Sequence, residues 1–184
     1  MDIKRMRRTR DDLIRGIELH APVEPAVVFS ALCEAMARRH GRPVEPHLVS
    51  FPVSTVSGLL VWTRTRNLVL IEANTDPEHQ LGILGHELWH MEEDSGHAQI
   101  LGESDCADLF APDLSASTVE RIAARSSART DCGEDGERAC ELFGSLLAMR
   151  SKHWLGKGAH VPQSSSAFGH KLNVSLGPAG GGAW

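Results

Sequence analysis

From Gln80 to Met91 the chain carries one formal charge, Glu87, and a histidine stands on either side of it at positions 86 and 90. Few features constrain a fold as tightly. At about 100° per residue, His79, Ile83, His86 and His90 share one narrow helical face, while Leu81, Leu84, Leu88 and Met91 share the opposite one. The segment reads as a helix buried on its leucine face, with its ionisable groups on the other. Thr75 and Glu78 have the spacing of a capping box, and Pro77 suits a first turn, so the helix is expected to run from Pro77 to Glu92.

The run His86-Glu87-Leu88-Trp89-His90 has the form H-E-x-x-H. Residues four apart lie one turn above one another on a helix, so two imidazoles so placed can hold one metal ion. The glutamate after the first histidine projects toward the position where a water would sit. Glu87, buried beside two imidazoles, also calls for a cation. The expectation is a zinc site formed by His86 and His90, with Glu87 as the base that activates water for peptide-bond hydrolysis. A metal site without hydrolysis is the next reading, and two histidines making ordinary hydrogen bonds is the bland one.

A catalytic zinc usually has a third protein ligand. His97 follows His90 by seven residues, with Glu93 and Gly96 breaking the metzincin spacing. Asp94 is better suited to support a ligand than to be one. The later segment GEDGERACELFGSLLAMRSKHW is more informative. Glu137, Cys140, Glu141, Gly144 and Ala148 share a face at helical spacing, and small residues there let two helices approach closely. Leu142, Leu146 and Met149 lie on another face and suit the core. On metal geometry the third-ligand candidates are Glu137, then Glu141, then His97.

The remaining elements give an α+β pattern. Helical spacing at Val28, Leu32 and Met36 places a helix between Glu24 and Gly41, with Gly41 as its stop. VSGLLVWT (56–63) and LVLIEANT (68–75) read as strands joined by the short polar link RTRN, with an earlier strand near His47–Val53. Helices are expected at Ala116–Arg129 and Glu134–Trp154. Three regions result: a basic arm or short helix at 1–20, a domain at 21–155, and a Gly/Ser/Pro-rich tail at 156–184 expected to be largely disordered.

A net charge of −5 excludes a molecule basic enough overall to coat nucleic acid, leaving the Lys4–Arg10 block as a solvated arm. The four cysteines form no C-x-x-C pair, which fits reduced thiols. No apolar run is long enough for a membrane span, and the N-terminal residues lack a secretory apolar stretch. The expected location is cytoplasmic.

Over about residues 25–150 these pieces resemble the ImmA/IrrE family of metallopeptidases. The resemblance rests on the strand pair, the capped helix with HELWH, a variable stretch, and a helix of the form E-x-x-A-x-x-F-A followed by Leu-Leu. Here that last piece reads Glu137-Arg138-Ala139-Cys140-Glu141-Leu142-Phe143-Gly144, then Leu146-Leu147. Cys140 stands where the family usually has alanine, Trp89 where it often has glycine, and the usual proline after the leucine pair is missing. The resemblance implies a small zincin-like domain, a short antiparallel or mixed sheet packed on helices. It implies Zn2+ held by His86, His90 and Glu137, with Glu87 as general base. It also implies a partner, a helix-turn-helix repressor that is cut or bound. The edge of the strand pair, Val56–Thr63, is the expected seat for an extended peptide.

Many such enzymes stabilise the oxyanion with a Tyr or His, and this chain has no Tyr. His97, His79 or a residue of 94–133 would have to serve. Without such a donor, the alternative is a catalytically weak or inactive regulatory binding protein. A toxin-like member of a two-gene module is a further alternative, disfavoured by the net acidity.

Overall fold

Six consecutive buried residues, Asn67–Glu72, form strand β3 at the centre of the sheet. The computed structural model describes residues 2–93, 100–102, 107–111, 114–127 and 133–155. Strand β1 (Val44–Val49) pairs with β3 in parallel, and β2 (Gly58–Trp62) pairs with it antiparallel, giving the order β1-β3-β2. The expected hairpin is present, with Leu60 opposite Val69 and the link closed by Thr63, whose backbone N–H and hydroxyl both donate to the Arg66 carbonyl, at 3.0 and 2.6 Å.

Alternation explains why β3 is apolar from Leu68 to Ile71. Val69 and Ile71 face one core, with Val44 and Leu60. Leu68 and Leu70 face the other, with Leu59, Val61, Leu101, Leu109, Val119 and Ile122. A strand covered on both faces reads as a continuous hydrophobic run. It stops at Glu72, short of Thr75, because the Glu72 carboxylate accepts from the Asn74 N–H at 2.8 Å and the Phe51 N–H at 3.3 Å and turns the chain. The first strand lies earlier than 47–53, since a turn at Pro52–Thr55 interrupts the extended chain.

Helices cover both faces. Helices α1 (Ile3–Arg15), α2 (Pro25–His40), α3 (Pro77–Glu93) and α5 (Glu134–Ser151) share the first core, and α4 (Ala116–Ser127) packs on the second. The fold is a small α+β domain with a mixed sheet. Pro25 opens α2 and Gly41, at φ +68°, closes it, with Val28, Leu32 and Met36 fully buried as their spacing predicts. A short 3₁₀ turn, Lys152–Trp154, continues from α5.

Two expectations change. The basic N-terminal block is not simply a solvated arm: Met6, Thr9 and Leu13 of α1 are buried in the core, and its basic residues occupy the remaining faces. On α5 the buried face runs through Ala139, Cys140, Phe143, Gly144 and Leu147, whereas Met149 is 72% exposed. Leu142 and Leu146 pack only at the core's margin. The small-residue stripe faces α3, which rotates Met149 outward.

The 156–184 tail, His97 and Asp94 lie outside the described residues. Among those described, no helix is long and apolar enough to cross a membrane.

Candidate metal centre

Helix α3 begins one residue later in its capping than the spacing predicts. Asp76, not Thr75, is the cap: its carboxylate accepts from the His79 N–H at 3.0 Å, and its carbonyl accepts from Gln80 at 2.9 Å. The Thr75 hydroxyl instead meets His79 Nδ1 at 3.2 Å. Pro77 then takes the first helical position, where its missing N–H costs nothing. Leu81, Leu84, Leu88 and Met91 are fully buried, as expected for the leucine face. Burial extends further than that face, to Gly85, Glu87, Trp89 and Glu92, because α5 packs along one flank and the sheet along another.

Glycines set the approach of α3 and α5. A Cβ on Gly85 would stand 2.8 Å from the Gly144 Cα, and one on Gly144 would stand 3.1 Å from the His86 backbone N. Beside this contact the Trp89 and Phe143 rings stack at 4.6 Å between centroids, with the Arg5 guanidinium 5.1 Å from the Trp89 ring.

The close approach brings the donor atoms together. His86 Nε2 and His90 Nε2 are 3.0 Å apart. Glu137, in the first turn of α5, has one carboxylate oxygen 3.5 Å from His86 Nε2 and the other 3.7 Å from His90 Nε2. Donors arranged tetrahedrally about one zinc ion at ordinary bond lengths stand about 3.3 Å from one another. Separations of 3.0, 3.5 and 3.7 Å therefore fit a common metal with small adjustments. Cys140, one turn beyond Glu137, meets the same two histidines: one donor atom from each of His86, His90 and Cys140 falls within 4.8 Å of the others, a group that does not include Glu137. Glu141 is exposed and reaches the site only through its charge, which favours protonated His86.

Glu87 is buried against β2. Burial pushes its carboxyl up to about 7; neighbouring His86 pulls it down, the charge of Glu137 pushes it up, and the Leu60 backbone N–H favours the carboxylate. At His86, burial opposes the proton, but the hydrogen bond to Glu137 and the charges of Glu87, Glu137 and Glu141 outweigh it and raise the pKa. Glu137 is held below the usual carboxylate range, chiefly by its hydrogen bond to His86. The cluster is an anionic pocket seeking positive charge. Its carboxylates favour positive charge on His86, and a bound dication would supply such charge in place of protons.

Two participants escape sequence reasoning. Cys140 counted there only as a small residue of the helix contact, although sulfur is a strong metal donor. Gly58, at the start of β2, has no sequence signal beyond being glycine. A Cβ there would stand 2.6 Å from Glu87 Oε1 and 2.6 Å from Ile83 Cγ2, so its bareness makes the space that the Glu87 carboxylate fills.

Compared with protein-family models, with curated proteins and with solved structures, the chain matches none of them.

Proposed function

We propose that this protein is a zinc metallopeptidase, with His86, His90 and Glu137 as metal ligands and Glu87 as general base. The convergence of two imidazole Nε2 atoms and one carboxylate within 3.7 Å, with a second carboxylate buried beside them, carries this reading. The bound ion would supply an acidified water and polarise the scissile carbonyl. Glu87 takes the proton from the attacking water and returns it to the leaving amine. Its raised proton affinity suits both steps near neutral pH.

The outer edge of β2 is the proposed seat of the substrate. β2 lies at the sheet edge beside α3. Its far end is already occupied, since the Leu101 N–H donates to the Trp62 carbonyl at 2.7 Å, and the Leu60 N–H serves Glu87, so the proposed seat is the Gly58–Leu60 stretch, beside which the described residues place no further strand. The resemblance to ImmA/IrrE proteins points to a helix-turn-helix repressor as the protein bound there, in the cytoplasm.

One observation favours a second reading. The chain has no Tyr to stabilise an oxyanion, and His97, one of the histidines that would have to take its place, lies outside the described residues. This suits a regulator that binds its partner and cuts it slowly or not at all.

Elemental analysis of wild type, His86→Ala, Glu137→Ala and Glu141→Ala tests the site. One zinc per chain, lost with His86 and Glu137 and kept with Glu141, is expected. Absence of stoichiometric zinc in wild type after reloading would refute the metal reading. Glu87→Gln is expected to keep zinc and lower cleavage by about 10²- to 10⁴-fold. Unchanged cleavage by this variant would sink the mechanism, and absence of fragments with wild type would favour the binding protein.

A further inference from the structure

Helix α5 presents two potential donors to α3, one turn apart, and they differ in kind. The Glu137 side chain is 51% exposed, at the mouth of the cluster. Cys140 is fully buried deeper in the helix contact, where it remains a thiol. Ala139 and Phe143 are buried beside it on α5, and the contact at Gly85 and Gly144 sets how closely α3 approaches.

Sulfur in that position has a chemistry that an ordinary buried thiol lacks. Cysteine thiolate, imidazole and carboxylate are all zinc donors, and thiolate is the softest of the three. Three protein ligands leave zinc one open position; a fourth closes it. The donor atoms of His86, His90 and Cys140 lie within 4.8 Å of one another, against about 3.6 Å expected in a completed tetrahedron with one sulfur. Binding would draw these donors closer together, by side-chain rotation about Cys140 χ1.

We propose that Cys140 is a ligand of the same metal, completing a shell of His86, His90, Glu137 and a thiolate. The inference rests on the metal reading above. On binding, the S–H bond breaks, a sulfur–metal bond forms, and the proton leaves to solvent. The resting protein is then a closed site with no position for water. Hydrolysis requires the sulfur to give up its place to water.

X-ray absorption at the zinc edge of the zinc-loaded full chain tests this directly. The expected shell contains one sulfur at about 2.3 Å besides nitrogen and oxygen donors. The sulfur should vanish in Cys140→Ser. It should persist in the variant carrying Cys33→Ala, Cys106→Ala and Cys132→Ala, where Cys140 is the remaining cysteine. The zinc dissociation constant of Cys140→Ser should rise about tenfold or more, since even loss of a group supporting a ligand has that effect. A shell of nitrogen and oxygen alone overturns the proposal and leaves the His86–His90–Glu137 site standing. Sulfur that survives in Cys140→Ser, or disappears in the triple variant, overturns it as well. Failure of wild type to bind zinc at all overturns both readings together.

Discussion

Glu87 depends on a residue that carries no chemistry of its own. Its carboxylate fills the space where Gly58 lacks a side chain, against β2 and Ile83. Gly58→Ala would set a Cβ 2.6 Å from Glu87 Oε1 and equally close to Ile83 Cγ2. The carboxylate is the more mobile of the two and would yield. The variant is expected to bind zinc stoichiometrically yet cleave about 10²-fold more slowly, the scale on which a displacement of about 1 Å acts. Steady-state cleavage rates beside zinc content check it; a full rate would show that Glu87 does not need this space. Glu87 itself was legible in the sequence as the proposed base, because H-E-x-x-H is local and its geometry follows from helix pitch. Gly58 was not, because its role exists only where β2 meets α3.

At the scale of elements, the contact between α3 and α5 decides whether the site exists. Gly144→Ala would place a methyl 3.1 Å from the His86 backbone N and against the carbonyl of Gly82. Both are helical backbone and neither can rotate aside, so the helices must separate. Overpacking of this kind costs about 1–3 kcal/mol. Separation would also draw Glu137 away from the histidines, so zinc affinity should fall together with stability. Zinc titration and denaturant unfolding check the pair; a stability loss with unchanged affinity would show that Glu137 is not placed by this contact. The stacked Trp89 and Phe143 support the same interface. Phe143→Ala is expected to lower unfolding free energy by about 3–5 kcal/mol.

The whole molecule is tied together around Glu92 at the end of α3. Its carboxylate takes hydrogen bonds from Arg39 and from His40, the latter at 3.1 Å, and Arg5 of α1 stands 3.6 Å away. Burial alone would raise its pKa, but the hydrogen bonds from His40 and Arg39 and the charge of Arg39 outweigh it and hold the carboxyl down to about 2. The unfolded chain takes up this proton near 4.5. The contribution is therefore fully present above that value and is lost as the pH falls from there toward about 2. It amounts to about 3 kcal/mol, read from the shift. The stability difference between wild type and Glu92→Gln should shrink steadily across that window. A difference that stays constant through it would place the stabilisation elsewhere.

Local regularities were readable in the chain by itself. Helical spacing placed α2, α3 and α5, a continuous apolar run with a polar link placed the β2–β3 hairpin, and the histidine pair with Glu87 marked the centre. Each follows from backbone periodicity over a few residues. Tertiary structure decided what periodicity cannot reach: the parallel pairing of β1 with β3, the burial of α1, and the face that α5 turns to α3. It alone brought Glu137 and Cys140 to histidines about fifty residues earlier, because glycines on two distant helices let their backbones touch.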